Sequence, residues 1–265
     1  MNNFSTRVLS AIVYAAIFIF AIVYSPNTYI GLITFFGSVC LWEFSKIIKL
    51  NNVLLSIISL VALISLNYLN ILDINKIIYL LIFCLLHSVY LIIDLYRKNF
   101  NKQTYILKAF TTVSYLVLPF FFLAFLPFLN NQYEPQLIIY IIIIIWTNDS
   151  FAYLVGKNFG KTKLFERISP KKTIEGFIGG FLFAVFAGFL IGRYSEILTT
   201  VSWLIIAVLT SVLGTFGDLV ESKFKRQANI KDSGTIMPGH GGLLDRLDSL
   251  FFLAPFVYLY IHYLM

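Results

Sequence analysis

Charge is what this sequence has least of. Only 12% of its 265 residues are Asp, Glu, Lys or Arg, whereas 59% are hydrophobic. Soluble domains carry about 25% charged residues, so a water-soluble globular fold is excluded. Residues 1–130 hold only three acids, Glu43, Asp73 and Asp94, and the informative half begins near residue 137. Cysteine is limited to Cys40 and Cys84, both inside apolar runs, which leaves no disulfide or zinc pattern. No A-x-A-like cleavage site follows the first apolar run, where "YSPNTY" stands instead; that run reads as a retained first helix rather than a signal peptide. Internal repeats and the paired broken helices of many transporters are also missing.

What is present is a series of long apolar runs. A bilayer span needs roughly 20 such residues. Nine candidates occur, at about 8–25, 29–45, 53–71, 77–93, 106–128, 137–155, 174–193, 199–221 and 249–264. They predict an all-α, polytopic integral membrane protein with about nine transmembrane helices. The whole chain, 1–265, is expected to form one membrane domain, with N-terminal helices over 1–130 and catalytic helices and loops over 137–265. With nine spans, 18 of the 20 Lys and Arg fall on one side, and only Lys76 and Arg193 on the other. The positive-inside rule then places the N-terminus and the basic loops in the cytoplasm and the C-terminus outside. The net charge of +7 is ascribed to this orientation and to anionic lipid, with no nucleic-acid partner expected.

The polar residues that interrupt the apolar runs are few enough to weigh singly. Glu43, near the cytoplasmic end of the second span, reads as a structural acid within reach of the interface. Asn148 and Asp149 break an isoleucine run. A charge at the centre of a span costs about 2.5–3.5 kcal/mol on insertion scales, so a functional cytoplasmic-side site is the better reading. "GKNFGKT", Gly156–Thr162, fails as a P-loop because it has one residue too few between its glycines and no strand before it. In "SPKKTIEG", Thr173 is placed to cap the next helix and Glu175 to favour its first turn. Capping leaves Lys171 and Lys172 unexplained; positive-inside bias is the competing account, and they are assigned to phosphate. Gly176, Gly180, Ala184, Gly188 and Gly192 recur every four positions, a face for close helix packing within the monomer or across a homodimer. Ser211, Gly214, Asp218, Glu221, Ser222 and Lys225 recur at three- and four-residue steps, one polar face of the eighth span.

The densest stretch is "SKFKRQANIKDSGTIMPGHGGLLDRLD", Ser222–Asp248. Lys225, Arg226, Lys231 and Arg246 are anion binders, and the backbone of Pro238–Gly242, with Gly239, Gly241 and Gly242, is suited to fold its N–H groups around an oxyanion. Asp245 and Asp248 share a face if the ninth helix begins early. Asp218, Asp245, Asp248 and Asp149 are then expected to meet at one depth. Carboxylates beside lysines and a glycine loop point to phosphate chemistry assisted by a hard cation. His240 alone makes no metal site and is read as a phosphate or proton-handling partner. Asp218 and Asp245 are expected to hold Mg²⁺ directly, with Asp248 and Asp149 as ligands or neighbours and a second cation possible.

This stretch resembles the signature of the phosphatidate cytidylyltransferases, also called CDP-diacylglycerol synthases: S-x-x-K-R-x₄-K-D-x-G-x₃-P-x-H-G-G-x₂-D-R-x-D. Each fixed polar and glycine position is met; Met237 stands where the family usually has Leu, Ile or Phe. "NDSFAY", "GKNFGK", "SPKKTIEG" and "GTFGDLVES" also look like family segments, so the resemblance covers about residues 137–250. It implies transfer of a cytidylyl group from CTP to phosphatidate in a bacterial inner membrane. Lys171, Lys172, Asp218, Lys225, Arg226, His240, Asp245 and Arg246 would be catalytic. Ser222, Thr173, Lys231, Asp232, Gly239, Gly241 and Gly242 would be cofactor-binding, with the lysines not divided between CTP and phosphatidate. The competing readings are a membrane polyprenol- or phytol-type kinase and an ion-coupled transporter. CTP-dependent pyrophosphate release with phosphatidate is a reaction that a transporter should not show.

Overall fold

The computed structural model describes residues 3–97, 104–130, 132–236 and 241–265, with side chains from Ile12 onward. The chain is overwhelmingly helical. In order come α1 (Asn3–Tyr24), α2 (Pro26–Ile48), α3 (Val53–Tyr68) and α4 (Ile74–Asp94). Next are α5 (Tyr105–Thr112) and α6 (Leu118–Phe125), which form one rod through a π turn at Val113–Val117. The C-terminal half contains α7 (Pro135–Phe159), α8 (Ile174–Tyr194), α9 (Thr200–Gln227) and α10 (Leu244–Leu259), the last continued to Leu264 by another π turn. Among the described residues, seven helices are long and apolar enough to cross a membrane. Of the two other spans expected from the sequence, α1 runs 22 residues, with side chains described from Ile12, and α3 is shorter, at 16 residues.

Local chemistry explains several boundaries. Ser25 and Thr28 form a reciprocal capping box before α2, and Thr199 caps α9 by accepting from Ser202 N. Pro119 has no N–H to return to the carbonyl four residues back, and the rod relaxes there into the wider π turn. The spacing of small residues on α8 is consumed inside the monomer. A Cβ on Gly179 would sit 2.6 Å from the Val155 side chain of α7, and one on Gly188 2.6 Å from Ala207 Cβ of α9. Without a hydrophobic drive between helices in lipid, such close backbone approach is what holds α7, α8 and α9 together.

Among the described residues two short hairpins interrupt the helices: β1 (Phe128–Leu129) with β2 (Gln132–Tyr133), and β3 (Lys163–Phe165) with β4 (Ser169–Thr173), both antiparallel. The second was not foreseen in the sequence, and it carries Lys171 and Lys172 to the mouth of the helical bundle. α10 lies at the centre. It packs against α9 and α6 and also touches α2, α4 and α7, and nearly every residue from Leu247 to Pro255 is buried. The acids in its first two turns are therefore set deep between helices.

Candidate active site

Four carboxylates, Asp149, Asp218, Asp245 and Asp248, and four lysines line a cavity of about 630 Å³ between α7, α8, α9, α10 and the β3–β4 hairpin. α9 supplies Asp218, Glu221, Ser222 and Lys225, all on the polar face read from the sequence. Because α10 starts at Leu244, Asp245 and Asp248 lie one turn apart and face α9. Asn148 of α7 accepts from Ser211 Oγ at 2.6 Å and donates to the adjacent Asp149 at 3.2 Å. That ties the polar break of α7 to the polar face of α9.

The charges are laid out in two linked groups. Lys172 Nζ lies 2.5 Å from Asp218 Oδ2, and Ser222 Oγ donates to Asp218 Oδ1 at 3.1 Å. Behind them, buried Lys225 donates to Glu221 Oε2 and to Asp245 Oδ1, both at 2.5 Å. The other oxygen of Asp245 accepts from Ser233 N, Ser233 Oγ and Gly242 N, each at 2.9 Å. Asp245 is thus saturated with donors. The carboxylates that converge are instead Asp218, Glu221 and Asp248, with one oxygen of each within 4.8 Å of the others. Glu221 Oε1 is buried and has no hydrogen-bond partner among the described residues. Like charges at about 5 Å repel by on the order of 3 kcal/mol per pair at an effective dielectric of about 20. Such a triad with an orphaned oxygen has the donor set of a hard-cation site, which takes oxygen ligands.

The residues singled out in the sequence divide by place. Asp149, Lys171, Lys172, Thr173, Asp218, Asp245, Arg246 and Asp248 line the cavity, joined by Lys157 and Lys163. Thr173 also caps α8 by accepting from Gly176 N at 3.1 Å. Ser222 and Lys225 support the lining from behind. Arg226 points elsewhere, donating to the carbonyls of Ile168 and Ile230 at 3.2 and 2.8 Å, so it braces the hairpin against the loop after α9. Lys231 and Asp232 are exposed on that loop, outside the cavity lining. Gly241 has φ +91°, which favours glycine, and Gly242 spends its N–H on Asp245. Gly239 and His240 lie outside the described residues.

Two residues took their place only from the structure. Glu221 was visible on the polar face but unassigned; its three-residue step from Asp218 was the available signal. Glu43 was read as reaching the interface, yet it is completely buried against the start of α10. A smaller chamber of about 290 Å³ shares Asp149, Arg246 and Asp248 with the main cavity and is walled by Tyr14, Phe18, Ile142, Ile145 and Trp146. A basic, polar cavity and an apolar one therefore meet at the carboxylates.

The chain is similar to known proteins over nearly its whole length. Residues 5–264 match the pattern of the cytidylyltransferase family. The phosphatidate cytidylyltransferase of Bacillus subtilis strain 168 is 35% identical over 267 residues, covering 97% of each chain. That of Staphylococcus aureus strain COL is 48% identical over 120 residues, 44% of this chain and 46% of the relative. That of Staphylococcus epidermidis strain RP62A is 41% identical over 136 residues, 50% and 52%.

Proposed function

The chain belongs to the cytidylyltransferase family, and on that premise we propose that it joins CTP to phosphatidate, giving CDP-diacylglycerol and pyrophosphate. It is a nucleotidyltransferase of phospholipid biosynthesis and a multi-pass protein of the bacterial cell membrane. The observation that carries the substrate pair is the meeting of a lysine-rich cavity and an apolar chamber at one set of carboxylates. One substrate is a water-borne polyanion and the other a lipid phosphate, and each finds its own chemistry on one side of the junction.

In the reaction, a phosphatidate oxygen forms a bond to the α-phosphorus of CTP. The bond from that phosphorus to the bridging oxygen breaks, and its electron pair leaves with pyrophosphate. Phosphatidate needs no protein base, because a phosphomonoester with a second pKa of about 6 is mostly dianionic at neutral pH. The protein's task is to hold two polyanions in line and to meet the charge on the leaving group. Lys171 and Lys172, with Lys157 and Lys163 beside them, are placed for the nucleotide phosphates. Arg246, at the junction of both chambers, is placed for the lipid phosphate. Asp218, Glu221 and Asp248 would hold Mg²⁺, with Asp149 near; this revises the ligand set expected from the sequence by exchanging Asp245 for Glu221. Such an ion, when bound, neutralises phosphate charge and favours departure of pyrophosphate. Lys225 keeps the Glu221 and Asp245 carboxylates apart and compensated. The basic loops face the cytoplasm in this reading, with the N-terminus inside and the C-terminus outside.

The test is purified protein in mixed micelles with CTP, Mg²⁺ and phosphatidate. Equimolar CDP-diacylglycerol and pyrophosphate are expected. Release of CDP, or no turnover with phosphatidate, would overturn the assignment.

A further inference from the structure

Glu43 stands apart from the cavity lining but is bound to its rear wall. It enters from α2 with no exposed surface. Its Oε1 accepts from Leu243 N at 3.2 Å and its Oε2 from Leu244 N at 2.8 Å, two amides at the start of α10. Ser233 Oγ lies 3.3 Å from Oε2 and 2.9 Å from Asp245 Oδ2. Leu243, at the N-cap position of α10, has no acceptor to offer, so the helix end that carries Asp245 and Asp248 is capped by a side chain about 200 residues away in sequence. The surrounding backbone has closed onto this carboxylate. A Cβ at Gly234 would run into Glu43 Oε1, and one at Gly242 would lie 2.7 Å from both Glu43 oxygens.

We propose that Glu43 is a positioning residue: by capping α10 and bridging through Ser233, it sets where Asp245 and Asp248 present their carboxylates. The inference rests on reading the cavity as the cytidylyl-transfer site. A helix cap serving only stability would be equally satisfied wherever α10 pointed. Here the one Ser233 hydroxyl proton is shared between the two acids, mainly with Asp245 at 2.9 Å and more weakly with Glu43 at 3.3 Å, so a change at Glu43 moves the acids relative to Lys225 and to Asp218. Displacement of a reacting constellation by about 1 Å costs on the order of 100-fold in rate.

Glu43→Gln keeps the size and replaces one acceptor by a donor facing N–H groups. The folded variant is expected to lose about 100-fold in kcat with its KM for CTP within about threefold of wild type, since the lysines of the β3–β4 hairpin and α7 are untouched. Ser233→Ala removes only the bridging hydroxyl and should lower kcat by about tenfold, one lost hydrogen bond of about 1.4 kcal/mol. Because both act through one network, the double variant should be no slower than Glu43→Gln alone. Hydrogen exchange supplies a readout independent of turnover: the Leu243 and Leu244 amides, protected in wild type, should exchange at least about tenfold faster in Glu43→Gln. Unchanged kcat in folded Glu43→Gln, or multiplicative losses in the double variant, overturns the positioning role. If Glu43→Gln does not fold, Ser233→Ala decides alone: a tenfold loss of kcat at an unchanged thermal midpoint supports the role, and unchanged kcat overturns it. If wild type makes no CDP-diacylglycerol, the function fails separately, and the exchange data still decide whether Glu43 holds α10.

Discussion

Lys172 on strand β4 meets Asp218 on helix α9, Nζ to Oδ2, at 2.5 Å, and this contact joins the hairpin to the carboxylate floor. Both side chains keep about a third of their surface exposed, 29% and 34%. Exposed pairs contribute about 0–1 kcal/mol, so the contact does little for stability. Its proposed use is positional: it leaves an ammonium beside the acids, ready for a phosphate to take over.

Lys172→Ala should therefore leave the thermal midpoint in detergent nearly unchanged and lower kcat/KM for CTP by about 100- to 1,000-fold, by analogy with removal of one oxyanion donor. Lys171→Ala, exposed on the same strand, should act in the same direction. Steady-state CTP titration checks both, and near-normal turnover at low CTP would contradict the phosphate assignment.

Asp218→Asn, Glu221→Gln and Asp248→Asn should each abolish turnover and weaken binding of Mn²⁺, used as a paramagnetic substitute for Mg²⁺ and counted by electron paramagnetic resonance. Asp245→Asn should impair turnover while retaining most Mn²⁺ binding, because its oxygens are committed to Lys225, Ser233 and Gly242. Wild-type Mn²⁺ binding in Glu221→Gln would remove that residue from the ligand set.

Lys225→Met should be costly to the fold. The ammonium is buried between Glu221 and Asp245 at 2.5 Å from each, and removing one partner of a buried pair costs about 3–5 kcal/mol. Unfolding in detergent should show a clearly lower midpoint, in contrast to Lys172→Ala. Equal midpoints for the two variants would contradict the burial argument.

Reporter fusions at Asn229 and at Met265 should lie on opposite sides of the membrane, the first cytoplasmic. The basis is the 18-to-2 division of basic residues among the loops. The same side for both would mean that α10 does not cross and would remove the nine-span arrangement.

Much of this protein was legible because its strongest signals are local and periodic. Apolar runs of membrane length announce helices. A 3.6-residue period alone puts Asp218, Glu221 and Lys225 on one face of α9, and Asp245 beside Asp248 on α10. Thr173 could be read as a cap because capping involves neighbours three residues apart. None of these rules spans the distance between helices. That Glu43 caps α10, that Asp245 is saturated by Lys225, Ser233 and Gly242, and that Glu221 takes its place beside Asp218 and Asp248 depend on how α2, α9 and α10 pack. The partners of Glu43 lie 190 to 201 residues away. The sequence by itself determined which residues carry charge into the membrane and on which helical faces they stand. Only the tertiary structure decided that Glu221 Oε1 is the buried carboxylate oxygen left without a donor among the described residues, because that depends on long-range packing, where each N–H and ammonium given to one acid is withheld from another.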